Sequence, residues 1–268
     1  MINGPLLRRT WRAHGARVGL IALALAAWSF LLPVIYATFG RQMEALIESG
    51  IIPDAMLRLL GGGVFGLDAS VALGVAHPFA IALQVVYPVG FAAAAIAGER
   101  QRGTLEVLLS RPLSRRSLFL TLLLAILGAA VATTAASVAG TYLGAAAYGL
   151  AGDLDAGEQA FLAVNTVLLL AALAAITLAA SASFDRLTPA IGIGLAVVLA
   201  GYVLELLGQL WPDAEPLQPY SPFHYLRPLD ILSGRAEPAD LAVLAVVFVV
   251  AVAWGLWHFP RRDLAAPS

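Results

Sequence analysis

Long uncharged apolar runs dominate the chain, and short charged segments separate them. A helix that crosses a bilayer needs about 20 apolar residues. Glu205 is the single formally charged residue inside the runs that reach this length. The runs do not alternate polar and apolar positions as the strands of a membrane β-barrel do. The pattern therefore predicts an all-α, polytopic membrane protein with six transmembrane helices. They cover residues 18–39, 71–97, 118–150, 160–184, 187–210 and 241–259.

Two segments outside these runs have a composition suited to the membrane surface. Residues 1–17 place Leu6, Leu7 and Trp11 among arginines, which predicts an interfacial helix at the lipid headgroups. A leader that only sets topology is the alternative. Residues 211–240 contain six prolines, which exclude one continuous helix. We expect this segment to form short helices or turns at the outer, extracytoplasmic end of the bundle.

The segment before the second run and the length of the third run lead to further predictions. Apolar positions in residues 40–70 recur near helical spacing and predict a short surface helix that ends near Gly61. The run 118–150 would form a helix about 50 Å long, whereas the hydrocarbon core is about 30 Å thick. It should tilt, break or project from the bilayer. Gly140 and Gly144 form a small-residue pair there, which suits close helix packing.

Composition removes the soluble alternative, and the arginines predict the orientation. Charged residues are 12% of the chain, whereas soluble domains have about 25%. Four arginines precede the first run and five lie between the second and third runs. Arg186, Arg261 and Arg262 fall on the same side, and four arginines fall on the other. Because positive residues stay cytoplasmic, both termini are predicted to be cytoplasmic.

Two residue types that carry much chemistry are missing from this chain. It has no cysteine, which excludes disulfides and thiolate metal sites. It has no lysine, and a P-loop needs a lysine to hold nucleotide phosphates. The four histidines are far apart, and we identify no pair with the spacing of metal ligands. The chain is therefore expected to be neither an ATPase nor another enzyme, to hold no cofactor or metal, and to bind no nucleic acid.

A charged island at 98–116 separates the second and third runs. Gly103 is predicted to end the helix of the second run, and Thr104 to cap a new short helix. Pro112 would stop that helix, and Ser114 would cap the third transmembrane helix.

The short helix of the island has an apolar face. Leu105, Leu108 and Leu109 follow helical spacing, while Glu106 points elsewhere. This pattern predicts a short amphipathic helix, parallel to the membrane, whose leucines dock in the groove of a cytoplasmic partner. A basic loop that only fixes topology is the alternative, although it explains neither the leucine face nor the caps.

The stretch E-R-Q-R-G-T-L-E-V-L-L-S-R-P-L-S-R-R resembles the cytoplasmic loop signature of ABC transporter permeases of the type-2 exporter class. The six-span layout, S-P-F-H-Y at 221–225 and W-H-F-P-R-R-D-L at 257–264 extend this resemblance over nearly the whole chain. The resemblance implies that the short helix is a coupling helix. The positions that match the family pattern are Glu99, Gly103, Thr104, Glu106, Pro112 and Ser114.

The same resemblance implies the partners and the location of the protein. The coupling helix would dock on a separate nucleotide-binding ATPase subunit, which would bind ATP and Mg. A second permease chain, identical or different, would complete the transporter. The chain lacks the fused ATPase domain of some relatives, so we expect a half-size permease in the bacterial plasma membrane.

Two other function classes stay open at this stage. An ion-coupled secondary transporter needs ionisable groups inside the membrane, and Glu205 alone is a weak basis for one. A membrane scaffold or immunity-type protein without transport is also compatible with the sequence. Glu205 itself has two possible roles, either in gating or the transport pathway, or in hydrogen bonding near the outer interface.

Overall fold

The computed structural model describes residues 2–49, 66–110 and 113–263. Every regular element within these ranges is helical, and six of the helices are long and apolar enough to cross a membrane. The prediction of an all-α protein with six transmembrane helices is therefore confirmed. The chain is a multi-pass membrane protein.

The first helix, α1, runs without interruption over Gly4–Glu48. Its start is capped by Asn3, whose Oδ1 accepts a hydrogen bond from the backbone N–H of Leu6 at 2.9 Å. The structure has no separate leader helix, because residues 4–17 continue into the first transmembrane helix. Most of the surface helix predicted in 40–70 lies outside the described residues.

The second apolar run forms two helices instead of one. Helix α2 covers Leu67–Ala76 and helix α3 covers Pro78–Ala93, so a single helix over 71–97 is wrong. The break lies at His77, whose backbone is extended. Pro78 has no N–H and disfavours the helical conformation of the residue before it, which explains the break. His77 Nδ1 then caps α3 by accepting the N–H of Phe79 at 3.2 Å.

Helix α3 leads through a wider π-helical turn at Ala94–Gly98 into a short helix, α4, at Glu99–Gln101. Two short 3₁₀ segments occupy the proline-rich part of the chain, at Pro212–Tyr220 and Pro222–Tyr225. The remaining α-helices, in chain order, are α5 Leu105–Leu109, α6 Arg115–Ala146, α7 Ala156–Ser183, α8 Leu187–Leu210, α9 Pro228–Leu232 and α10 Pro238–Arg261.

Helices α3, α6 and α7 form the interior of the bundle. Helix α1 lies along α6, while α10 and α8 pack on α7. The outer faces of α1, α8 and α10 expose mostly apolar side chains, as expected for helices that face lipid. Residue 3, the segments 98–110 and 113–114, and residue 262 lie at one end of the bundle, called here the termini end. The 3₁₀ segments lie at the opposite end.

The closest packing between helices is that of α1 on α6. An added methyl group on Gly140 would lie 2.1 Å from the carbonyl oxygen of Ala26. One on Gly144 would lie 2.2 Å from the carbonyl oxygen of Phe30. The small-residue pair thus allows two backbones to touch, which is the packing that its spacing predicts. Helix α6 is unbroken over its 32 residues, about 48 Å.

We expect Gly140→Ala to reduce the free energy of unfolding of the detergent-purified protein by about 1–3 kcal/mol. The measurement is a lower thermal unfolding midpoint. The added methyl group would force α1 away from α6, because its neighbour is backbone that has no alternative rotamer. The matched control is Gly192→Ala in α8, where an added methyl group meets nothing within 4 Å. Equal midpoints for the two variants would contradict this account of the α1–α6 contact.

Candidate coupling site at the termini end

Helix α5 lies at the termini end because the chain turns on either side of it, once after α4 and once before α6. Gly103 has φ +69°, a left-handed conformation that glycine adopts without strain, and it ends the helical extension of α3 as predicted. On the far side, Ser114 Oγ accepts the N–H of Ser117 at 3.2 Å and caps α6, also as predicted. Arg111 and Pro112 lie outside the described residues.

Thr104 does not cap α5 with its side chain, so that prediction is wrong. Its hydroxyl turns back and donates to the backbone carbonyl of Glu99 at 3.0 Å and to the Glu99 carboxylate at 2.5 Å. Arg102 donates to the same carboxylate, also at 2.5 Å. Glu99 therefore connects the end of α4 to the start of α5. Sequence spacing alone predicts that the Thr104 hydroxyl bonds a backbone N–H of α5.

The leucine face of α5 is directed toward the bundle instead of toward a partner. Leu105 is 1% exposed and belongs to the same apolar cluster as Phe119 of α6. Leu108 is half-buried, and Leu109 packs on the edge of that cluster. The prediction that these leucines dock in a partner groove is therefore wrong for Leu105. A short helix beside a membrane domain buries its apolar face on that domain first.

The outward side of α5 is formed by residues other than the three leucines that were predicted to dock. Glu106, Val107 and Ser110 are exposed, and 64% of the Val107 surface is accessible. An exposed valine between a carboxylate and a hydroxyl makes a small contact surface with one apolar centre. Of the predicted coupling residues within α5, Glu106 is the exposed one, whereas Leu105 fastens the helix to the bundle.

Ion pairs and hydrogen bonds connect α4 to the other helices that end nearby. Asp185, in the turn between α7 and α8, pairs with Arg100 at 2.7 Å and with Arg262. The side chain of Gln101 accepts the backbone N–H of Leu187 at 2.9 Å. Because Asp185 is half exposed, water screens these pairs and their value lies in fixing geometry more than in stability.

The end of α10 packs on the start of α6 in a similar way. Arg115 donates to the backbone carbonyl of Arg262 at 2.5 Å and to that of Phe259 at 3.3 Å. The Phe259 carbonyl belongs to the last turn of α10 and the Arg262 carbonyl follows that turn, so neither has a helical partner of its own. Burial lowers the pKa of Arg262, and the neighbouring Asp185 carboxylate opposes that shift. The W-H-F-P-R-R stretch therefore anchors the last helix beside the coupling loop.

A buried serine that sequence reasoning missed supports the π-helical turn. Ser181 of α7 is fully buried, and its Oγ accepts the N–H groups of Ile96 at 3.2 Å and Ala97 at 2.9 Å. The same hydroxyl donates to the carbonyl of Ala93 at 2.7 Å. It therefore joins α7 to the distorted turn above α5. The alanine- and serine-rich sequence around it has no signal that would distinguish this serine from Ser183.

Glu205 lies at the opposite end of the bundle, far from α5. Its side chain is 16% exposed, and Oε1 accepts hydrogen bonds from Gln209 at 2.9 Å and Gln218 at 3.3 Å. Oε2 lies 3.6 Å from Nδ1 of His224. These contacts fasten the 3₁₀ segments onto α8, as the hydrogen-bonding interpretation expects. Glu205 also borders a cavity of about 480 Å³, and its role in gating stays a prediction.

The S-P-F-H-Y stretch forms the contact between these segments and α8. Ser221 is fully buried and donates to the carbonyl of Gly201 at 2.8 Å, while its Oγ accepts the N–H of Phe223 at 3.0 Å. Side chains of the stretch lie so close to Gly201 that an added methyl group there would be 3.0 Å from Pro222. The motif is thus a structural closure of the opposite end.

Arg227 links the same closure to α10. It sits at φ 28°, a conformation rare for residues other than glycine, and donates twice to the Asp240 carboxylate, at 3.0 and 2.8 Å. Glu237 lies 3.1 Å from the guanidinium group. The hydrogen bonds to Asp240, together with the charges of both carboxylates, raise the pKa of Arg227.

Comparison with known families agrees with this architecture. A family model described as "ABC-2 family transporter protein" matches residues 16–264, which is nearly the whole chain. The chain therefore belongs to this family, as the resemblance of its loop implies, and its six apolar helices fit a half-size permease. Comparison with curated proteins gives no match.

Replacing Ser181 with alanine should destabilise the π-helical turn. The change removes the side-chain acceptor of the N–H groups of Ile96 and Ala97 in an apolar interior, at a cost of about 1–3 kcal/mol. We expect a lower thermal midpoint and faster amide exchange at these two residues. Thr177→Val is the matched control, since Thr177 is equally buried in α7 and its hydroxyl bonds only within that helix, to Leu173. Unchanged exchange in Ser181→Ala would contradict the role given to Ser181.

Proposed function

We propose that this ABC-2 family chain is the permease subunit of an ATP-binding-cassette exporter in the bacterial plasma membrane. A separate nucleotide-binding subunit would bind ATP and Mg and dock on α5, and a second permease chain would complete the translocation path. The observation that carries this proposal is the placement of α5. Its leucines hold it on the bundle, while Glu106, Val107 and Ser110 face outward at the termini end.

The packing of Leu105 supports a route by which docking would move the transmembrane helices. Leu105 is seated in the apolar cluster that also contains Ile96 of the π-helical turn, Phe119 of α6 and Phe259 of α10. A displacement of α5 is therefore felt by three spans at once, because close-packed interiors transmit small shifts. The partner would have to bind one arrangement of the bundle better than the other, since only differential binding moves such an equilibrium.

The π-helical turn that follows α3 is the place where this movement would be absorbed. A π-helical turn holds one residue more than a regular helical turn, and such turns are frequent at functional sites. Returning it to regular geometry would rotate α4 and α5 relative to α3. Ser181 is positioned to follow either arrangement, because a hydroxyl donates and accepts at the same time.

The rival functions differ from this one in what they require. An ion-coupled transporter would use a titrating group within the membrane, and Glu205 lies near one end where it fastens the 3₁₀ segments. A scaffold protein would not need an ATPase partner. Co-purification with a P-loop ATPase separates both from the proposal, because neither rival predicts a stable complex whose ATP hydrolysis depends on this chain.

The docking surface is tested by Glu106→Arg and Val107→Asp. Each variant, co-expressed with P-loop ATPases of the same genome, should retain about one tenth or less of the wild-type complex on size-exclusion chromatography. The reason is that each places a wrong charge at a surface that ordinarily contacts the partner. Glu215→Arg is the control, since Glu215 is exposed at the opposite end.

A complex of normal stability and coupled ATPase activity in Glu106→Arg and Val107→Asp would contradict docking on α5. Absence of a complex for the wild-type chain with every P-loop partner tried would favour the scaffold function. Leu105→Asp is a poor test, because Leu105 is buried in the bundle and its loss would unfold the site along with any contact.

Orientation can be measured independently, because the chain has no cysteine of its own. Single variants Glu106→Cys and Glu215→Cys place one thiol at each end of the bundle. A membrane-impermeant maleimide should label Glu215→Cys in spheroplasts and Glu106→Cys only after the membrane is opened. The reverse pattern would contradict the predicted cytoplasmic position of α5.

A further inference from the structure

A second site lies beside α5, in a cavity between the start of α1, the π-helical turn and the coupling segment. Its volume is about 280 Å³. The polar part of its wall is formed by Arg9, Thr10, His14 and Arg17 of α1 together with Glu99 and Arg102. The function proposed above does not depend on this cavity.

The charge around the cavity favours an anion. Glu99 is the one acidic residue in the wall, and it is already paired with Arg102 and bonded to Thr104. Arg9 and Arg17 are exposed, and they make no hydrogen bond or ion pair within the part of the chain that the structure describes. They lie eight positions apart on one helix, about 12 Å along its axis. The wall thus has two available guanidinium groups and no available carboxylate.

A buried nitrogen of His14 points to a missing polar partner. His14 Nδ1 is buried without a hydrogen-bond partner among the described residues. The ring is held in place by Phe91, with centroids 4.4 Å apart, and by Tyr87 at 5.9 Å. An unpaired polar atom in such surroundings is costly. Because this nitrogen is closed off from the open space of the cavity, the ring would turn before the nitrogen donates to a ligand oxygen there.

The remainder of the wall is apolar, which narrows the class of ligand. Leu6, Phe91, Leu118 and Leu122 line the cavity together with Leu108 of α5. Free phosphate would leave this apolar surface uncovered, whereas a phospholipid presents a phosphate group joined to hydrocarbon. Basic pockets between transmembrane helices on the cytoplasmic side are suited to anionic headgroups.

We propose that this cavity binds an anionic phospholipid, with its phosphate between Arg9 and Arg17 and its first acyl carbons against Phe91 and Leu122. Because Leu108 and Arg102 belong to the same wall, an occupied site holds the coupling segment against α1. The bound lipid is in this way a structural part of the surface on which the partner docks. This inference does not depend on the identity of that partner.

The test uses the purified full-length protein in detergent. Its thermal unfolding midpoint is followed as phosphatidylglycerol, phosphatidylcholine or inorganic phosphate is added. We expect a saturable rise with phosphatidylglycerol alone. An equal rise with phosphatidylcholine would overturn the headgroup contact. An equal rise with inorganic phosphate would contradict lipid binding and would show that the arginines bind free phosphate.

Variants locate the effect within the chain. Arg9→Gln with Arg17→Gln should require about tenfold or more phosphatidylglycerol for the same rise. Arg8→Gln with Arg12→Gln is the matched control, because it also removes two arginines from the first part of α1 and neither residue lines the cavity. The control should keep the wild-type dependence.

Equal weakening in the two double variants would show diffuse attraction to the basic end of α1 and would overturn the site. If the first double variant does not fold, Arg17→Gln is compared with Arg12→Gln, since both side chains are exposed. Native mass spectrometry of the same samples should count one retained phosphatidylglycerol per wild-type chain and none in the Arg17→Gln variant. Retention by both would also overturn it.

Discussion

The bilayer requires that every backbone polar group find a partner inside the protein, and the rest of this structure depends on that constraint. Where the helices are regular, the constraint is met within each helix. Where they are not, a buried side chain meets it. Ser181 bonds the π-helical turn, Ser221 accepts the N–H of Phe223 in a 3₁₀ segment, and Asn165 donates to the carbonyl of Tyr225 at 3.0 Å. Irregular backbone in this protein is therefore built around buried polar side chains.

The two ends of the bundle satisfy the constraint in different ways. At the opposite end, short proline-rich segments fold back onto α8, and Arg227 fastens them to α10 through Asp240. At the termini end, the contacts of Asp185 and Arg115 join helix ends that are far apart in sequence. The first arrangement closes the bundle, whereas the second collects four helix ends around one short segment. Because of that difference, contact of another protein with the termini end could act on several helices at once.

Close helix contacts then limit how the bundle can move. Helix α1 touches the backbone of α6 at Gly140 and Gly144, and Ser29 and Ser137 share a hydrogen bond of 2.6 Å between the same helices. These two helices are expected to shift as one body. The distorted part of α3 and the turn at Gly103 adjoin α5, and they are the places where helix geometry is already irregular. A displacement of α5 is therefore expected to act on α3 before it acts on α1.

The sequence by itself determined the membrane class, the six spans, the turn at Gly103 and the cap at Ser114, because each depends on local composition or backbone preference. It also contained Pro78, whose effect on His77 is local and could have predicted the break in the second run. Only the tertiary structure decided that Leu105 faces the bundle, that Thr104 bonds Glu99, and that Ser181 supports a π-helical turn. These three facts depend on which neighbour is nearest in space. A helical pattern shows which residues share a face, but the direction of that face is set by the packing of distant segments.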